Sequence, residues 1–162
     1  MQAELEKQLK EILAMQVPGR LEIVPCKDFF AVSQPFVTVT VYAPSYVVGG
    51  YRQDPKLCHE HELEIGIFKE RLGKQGPYIR FTEERQRIAH PNVWVNGMCC
   101  FTGTAPEMAT LKDAVVYALK MLAYEKETWR EDRFASVTGL GFVMKGERKG
   151  WFPTFDVASF IR

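Results

Sequence analysis

The sequence of 162 residues has no run of 18 apolar residues, so nothing in it has the length of a membrane-spanning helix. The N-terminal stretch "MQAELEKQLKEILAMQ" lacks the uninterrupted apolar centre of a secretory signal, and a cytoplasmic location is expected. Net charge is nearly absent as well. With 21 basic and 20 acidic residues the formal charge is +1, which leaves no overall field to draw nucleic acid or an anionic membrane surface. Neither nucleic acid nor membrane is therefore expected as a partner. Cysteines number four, Cys26, Cys58, Cys99 and Cys100, at irregular spacing. In a chain long enough to fold without staples, and in a reducing compartment, they are expected as free thiols. Internal repeats, low-complexity segments and linkers are also missing. Hydrophobic residues make up 46% of the chain, which is ample for a buried core, and a single domain spanning residues 1–162 is expected.

What is present reads first as a helix. Leu5, Leu9, Ile12 and Leu13 share one face, and Val17-Pro18-Gly19 ends the segment, which predicts an amphipathic helix over residues 2–16. Leu21 to Val24, "FVTVTVY" (Phe36 to Tyr42), "ELEIGIF" (Glu62 to Phe68) and "YIRF" (Tyr78 to Phe81) read as four strands of an antiparallel meander. Between them, "APSYVVGGYRQDPK" reads as loop, and "KERLGKQGPY" as a turn through Gly73, Gly76 and Pro77. The stretch "TEERQRIAHPNVWVNGMCCFTGTAPEM" holds neither period and contains Pro91, Gly97, Gly103 and Pro106, so it is expected as a long irregular connection, the kind that carries function. "TLKDAVVYALKMLAYEKE" opens with Thr110-x-x-Asp113, which resembles a capping box. Leu111, Val115, Leu119 and Leu122 then form the apolar stripe of a long helix. The remainder, from Arg133 on, carries Gly139, Gly141 and Gly146 and is expected to be irregular.

Several candidate sites dissolve on inspection. "CHEH" (Cys58 to His61) offers soft and borderline metal ligands but no complementary pair elsewhere. A solvated strand end with His59 and His61 on one face fits it better, and no metal is expected. "VTGLGF" lacks the third glycine and the acidic residue of a dinucleotide fingerprint. "KGERKG" reads as a solvated basic turn, and Trp151, Phe152 and Phe155 as aromatics that complete a core. "HPNVWVNGMCC" (His90 to Cys100) differs in kind. A thiol on a loop between strand and helix can act as a nucleophile where donors stabilise negative charge, and the Asn92 amide is such a donor for an oxyanion. His90 reads either as a base or as the residue that fixes the turn, and a pair of buried, inert cysteines is the alternative to a reactive one.

Taken together, the N-terminal helix, the meander, "RFTEERQRIAHPNVWVNGMCC" and the long following helix resemble the ubiquitin-conjugating enzyme family. The family motif is His-Pro-Asn, an aliphatic residue, three variable positions, glycine, two residues and the catalytic cysteine. It falls without a gap on His90, Pro91, Asn92, Val93, Gly97 and Cys100. The resemblance implies an α+β, UBC-like fold with an N-terminal helix, four-stranded antiparallel meander, active-site loop, long central helix and irregular C-terminal segment. It implies Cys100 as the thioester-forming nucleophile, Asn92 as the residue of oxyanion or loop geometry, His90 as a largely structural member, and Cys99 as an inward, inert neighbour.

The chain departs from the family where the proline-rich segment before the fourth strand shrinks to "GPY", where the interval from cysteine to proline is short, and where no two-helix C-terminal pattern is visible. Such a trimmed version looks like the bacterial branch that accompanies cyclic-oligonucleotide anti-phage signalling. There the acyl donor is a cGAS-like nucleotidyltransferase or a ubiquitin-like protein, with an activating enzyme as a further possible partner and a lysine amine as acceptor. The resemblance implies a transferase without cofactor, with Glu131 and Asp132 as candidates to assist the attacking amine, and it is silent on oligomeric state. Two other classes compete: a non-catalytic UBC-fold interaction module, which would lack the active cysteine, and a cysteine hydrolase, which would need a histidine placed as base.

Overall fold

A computed structural model of the chain describes residues 2–26, 35–49, 54–69, 75–82, 87–94, 96–99 and 110–161. Cys100, Gly103 and Pro106 lie outside these, as do Gly73 and the tip of its turn. The elements in chain order are α1 (Gln2–Leu13), β1 (Leu21–Pro25), β2 (Val37–Val41), β3 (Ser45–Val48), β4 (Lys56–Cys58), β5 (His61–Lys69), β6 (Gln75–Phe81), β7 (Arg87–Ile88), α2 (Leu111–Ala123) and α3 (Val137–Arg148). Single 3-10 turns occur at Lys126–Thr128 and Val157–Phe160.

An antiparallel sheet in the order β1-β2-β5-β6 forms one wall of the main core. The alternation that marks β2 in the sequence does the work expected of it: Val37, Val39 and Val41 are buried while Thr38 and Thr40 are only partly covered. Leu63 and Ile65 of β5 and Ile79 and Phe81 of β6 continue the same inner face. Across it lies α2, which buries Leu111, Val115, Leu119 and Leu122, and α1 packs alongside through Ile12, with Leu5, Leu9 and Leu13 partly covered. The start of α2 has both halves of a capping box. Asp113 N–H donates to Thr110 Oγ1 at 3.1 Å and Thr110 N–H to Asp113 Oδ2 at 2.9 Å. Leu111 N–H, another donor that the helix itself cannot satisfy, reaches Gln8 Oε1 of α1 at 3.0 Å and ties the two helices together.

Three expectations need correction. The segment expected to be loop after Tyr42 contains β3 and β4, which leave the meander between β2 and β5 and join β7 in a second sheet, ordered β4-β3-β7. Four residues in which Ser45, Val47 and Val48 are all buried show no period-two signal, so this strand is set by tertiary pairing. β6 also begins earlier than its apolar residues do. Gly76 and Pro77 pair with Phe68 and Ile67, which a proline tolerates because β6 is an edge strand of its sheet. The C-terminal part is not irregular, for it contains α3, capped by Ser136, whose hydroxyl accepts from Gly139 N–H at 3.0 Å. Its glycines weaken helix propensity, but two of them answer to packing. A Cβ on Gly139 would lie 2.6 Å from the His90 carbonyl carbon and oxygen, and one on Gly146 would collide with the Phe152 ring. Among the described residues no helix is long and apolar enough to cross a membrane.

A second, smaller core lies beside the first. Tyr124, Trp129 and Val143 are buried in it, with Tyr46, Leu140, Phe142, Met144 and Phe152 packed around them. The Tyr124 and Phe152 rings stack with centroids 4.5 Å apart, and Phe142 meets both edge-on. This aromatic cluster supports the turn that follows β7.

Candidate active site

The chain leaves β7 into His90-Pro91-Asn92, and the local bonds of this turn close on themselves. His90 N–H reaches Ile88 O at 3.0 Å, Val93 N–H reaches His90 O at 3.3 Å, and Asn92 N–H donates to His90 Nδ1 at 3.0 Å. Pro91 has no N–H to satisfy, and its carbonyl accepts twice from the segment leading into α3, from Ala135 N–H at 2.8 Å and Ser136 N–H at 2.9 Å. Neither polar side chain is open to water: His90 is 1% and Asn92 3% exposed.

Both side chains end on one residue that is distant in sequence. Thr128, with no exposed surface, donates its hydroxyl to Glu125 O at 2.7 Å, and that hydroxyl lies 3.1 Å from His90 Nε2. The Thr128 carbonyl accepts from Asn92 Nδ2 at 2.8 Å. These roles fix the imidazole. Nδ1 is already an acceptor from Asn92 N–H, and the Thr128 hydroxyl spends its proton on Glu125, so Nε2 must carry the hydrogen and the ring is neutral. Burial pushes the His90 pKa down to about 3. A ring held this way, stacked 5.8 Å from the Tyr124 ring, has no free nitrogen lone pair for a thiol and acts as a joint. The Asn92 amide is equally placed, with one donor on the Thr128 carbonyl that sets its plane.

Beyond Asn92 the chain makes a tight excursion and returns to the edge of β6. Trp94 N–H bonds Met98 O and Gly97 N–H bonds Trp94 O, each at 2.9 Å, while Met98 N–H reaches Asn96 Oδ1 at 3.0 Å. Phe81 N–H then donates to Gly97 O at 2.9 Å and Cys99 N–H to Ile79 O at 3.0 Å. Gly97 has φ +85°, and a Cβ there would run into the Phe81 carbonyl, so both its conformation and its surroundings call for glycine. Val93, buried, pairs with Cys99 across the excursion. Cys99 is in no disulfide, is 7% exposed, and turns into the main core. Cys26 and Cys58 are in none either.

The remaining sequence candidates separate. His59 and His61 do not share a face: His61 opens β5, is buried, and has Nε2 3.0 Å from Cys58 O, whereas His59 is exposed. Burial lowers the His61 pKa. Among the described residues no group of three or more His, Cys, Asp or Glu side chains could hold a metal ion. "VTGLGF" lies within α3, not on a phosphate loop. Glu131 and Asp132 are exposed, and Asp132 takes both nitrogens of a fork from Arg130 at 2.9 and 2.8 Å. Phe155 packs against the main core and Phe152 in the aromatic cluster, but Trp151 remains 36% exposed, with Lys145 and Lys149 ammonium groups 5.9 and 5.5 Å from its ring.

Sequence reasoning missed Thr128, Ala135, Ser136 and Gly139, which between them hold the turn. Only Ser136 and Gly139 leave a trace in sequence, as an N-cap pair. Thr128 leaves none, because its partners are 36 and 38 positions away. No family model matches the chain, and no curated protein matches it.

Proposed function

We propose that this protein is a ubiquitin-conjugating-enzyme-like transferase in which Cys100 carries an acyl group as a thioester. The observation that supports this most is the buried clamp on His90-Pro91-Asn92, followed at motif spacing by a glycine that only its positive φ and the Phe81 carbonyl can explain. A hydrogen-bonded network of this kind holds the turn in one geometry, as an acyl-transfer loop requires, since it must present a thiol and a carbonyl in fixed relation.

In this reading the Cys100 thiolate attacks the activated C-terminal glycine carbonyl of the donor, a cGAS-like nucleotidyltransferase or a ubiquitin-like protein, and the activating group leaves. The thioester is then attacked by a lysine amine. The tetrahedral oxyanion collapses with the thiolate as leaving group, and the amine proton passes to solvent or to a nearby carboxylate. The product is an amide, and the thiol is regenerated without cofactor or metal. The Thr128 anchor supports loop geometry as the larger part of the Asn92 contribution. The setting proposed is bacterial anti-phage defence in the cytoplasm.

Co-expression with the donor and its activating partner should give a covalent adduct that reducing agent removes. Cys100→Ser should abolish that adduct or convert it to one that resists reduction, while Cys99→Ala should keep it. A reducible adduct that survives loss of Cys100 would overturn the assignment. Complete absence of any adduct from the wild-type protein beside its donor would favour a non-catalytic interaction module.

A further inference from the structure

A cavity of about 290 Å³ opens where α2 ends, between the 3-10 turn that follows and the far end of α3. The residues that line it include the aromatic Tyr124, Trp129 and Phe152 and the acidic Glu125 and Glu147. The volume lies just below the ~300–1,000 Å³ range of drug-sized sites and suits a single side chain. Aromatic faces together with carboxylates recognise one chemistry above others, an organic cation, because ring quadrupole and anion both attract it.

The chain shows this preference with its own residue. Lys126 lies with Nζ 3.6 Å from the centre of the Trp129 ring and 3.2 Å from Glu147 Oε2, so an alkylammonium already makes both contacts. It is loosely held, with 61% of its side chain exposed. Glu125 and Glu147 both line the cavity, against Lys126 in its lining and Lys120 close to Glu125, whose ammonium is already paired with Glu127 at 2.7 Å. Partial burial, and then a hydrogen bond with Glu127, hold the Glu125 carboxyl above its usual range, a cost that a further cation relieves.

We infer that this cavity is a binding site for the ammonium group of a lysine side chain on a partner protein, which takes the place that Lys126 fills in the free chain. The inference goes beyond the acyl-transfer reading and does not depend on Cys100. Its location gives it consequence, because Lys126 and Trp129 flank Thr128, the residue that holds His90 and Asn92.

The test uses the full chain carrying Lys126→Ala, which empties the seat, with Nα-acetyl-lysine methylamide as probe. The chain has three tryptophans, so three indole N–H signals appear in a ¹H–¹⁵N spectrum, and Trp129→Phe identifies the one that matters. The Trp129 signal should shift saturably with a dissociation constant on the order of 10 mM, while the exposed Trp94 and Trp151 serve as controls. The wild-type chain should bind about fivefold more weakly, since its own lysine competes. Neutralising both acids with Glu125→Gln and Glu147→Gln should weaken binding about tenfold. The norleucine analogue, equal in shape but uncharged, should give no saturable shift.

Equal response to the norleucine analogue, or no response in Lys126→Ala, would overturn the proposal. n-Butylammonium is expected to bind more weakly than the lysine amide, and tighter binding of the free amine would overturn the assignment to a protein lysine. Should Lys126→Ala fail to fold, Lys126→Met keeps the stem over Trp129, and the double acid variant then decides by whether the wild-type shift is lost. Adduct formation at Cys100 is not part of this readout, so failure here leaves the acyl-transfer reading untouched, and failure there leaves this one.

Discussion

The two cores of this protein are built on different terms. The main one, between the sheet and α2, is made mostly of aliphatic residues, many supplied at regular intervals by β2, β5, β6 and α2. The second gathers Tyr46, Tyr124, Trp129, Phe142 and Phe152 from four separate stretches, and its polar fringe ends on His90 and Asn92. The first fixes that the chain folds. The second fixes where one turn stands, and it does so with oriented groups: Tyr124 O–H donates to Tyr46 O at 3.0 Å, and Ser45 O–H to Leu122 O at 2.7 Å. Aliphatic packing tolerates small shifts, whereas a hydrogen-bonded aromatic cluster loses its bonds when displaced. Precision is placed where the candidate chemistry is.

The strongest way to break this contrast is Leu119→Ala. Leu119 is fully buried in the main core, and its truncation should cost about 2–5 kcal/mol in denaturant unfolding, taking both cores down together. Next is Thr128→Val, which removes the hydroxyl but keeps the carbonyl that holds Asn92. The His90 Nε2–H is then left buried without an acceptor, at a cost of about 1–3 kcal/mol. Discharge of the proposed thioester should slow while the sheet stays intact by circular dichroism, and Thr128→Ser should restore both values. Survival of normal discharge in Thr128→Val would show the second core to be mere packing.

A pH series sharpens the same point. The unfolded chain binds a proton on histidine near pH 6.5, the folded chain on His90 only near 3. Between these values the unfolded state holds more protons, so stability is full above pH 6.5 and falls as pH is lowered, by at most about 1.4 kcal/mol per pH unit for one histidine. His61, also depressed by burial, adds a slope of the same sign. His90→Gln should flatten the profile measured by urea unfolding between pH 7 and 4.5, and an unchanged slope would assign the whole effect elsewhere.

The smallest effect comes from a pair of glycines two positions apart on α3. Gly141 has nothing within 4 Å of an added Cβ, so Gly141→Ala should stabilise by up to about 1 kcal/mol through helix propensity. Gly139→Ala gains the same propensity but meets the His90 backbone, and the clash of about 1–3 kcal/mol should reverse the sign. Equal stabilisation by both would mean that α3 is not seated on the turn.

The two regions also differed in how far they could be foreseen. Val37, Val39 and Val41, or Leu111, Val115, Leu119 and Leu122, declare their faces through period alone, and Thr110-x-x-Asp113 declares its cap. The strand at Ser45–Val48 declares nothing, since it is too short for a period and owes its form to partners on either side. α3 was hidden by its glycines, two of which, Gly139 and Gly146, serve close packing, and a scale of propensities counts them only as a loss. In the candidate site, the spacing from His90 to Gly97 was legible because the chain itself carries it. Thr128 was not, because a hydrogen bond between residues 36 to 38 positions apart leaves no pattern in either neighbourhood.

The double use of the Pro91 carbonyl by Ala135 and Ser136 imposes an order on the life of the chain. During vectorial synthesis the sheet strands emerge first, yet the turn at His90 has no Thr128 to close on and no α3 to lean against until some forty further residues are translated. At ~5–20 residues per second that interval lasts about 2–8 s. A nascent chain therefore passes several seconds with its His90 turn already made but without Thr128, Ala135 and Ser136, the residues that hold it.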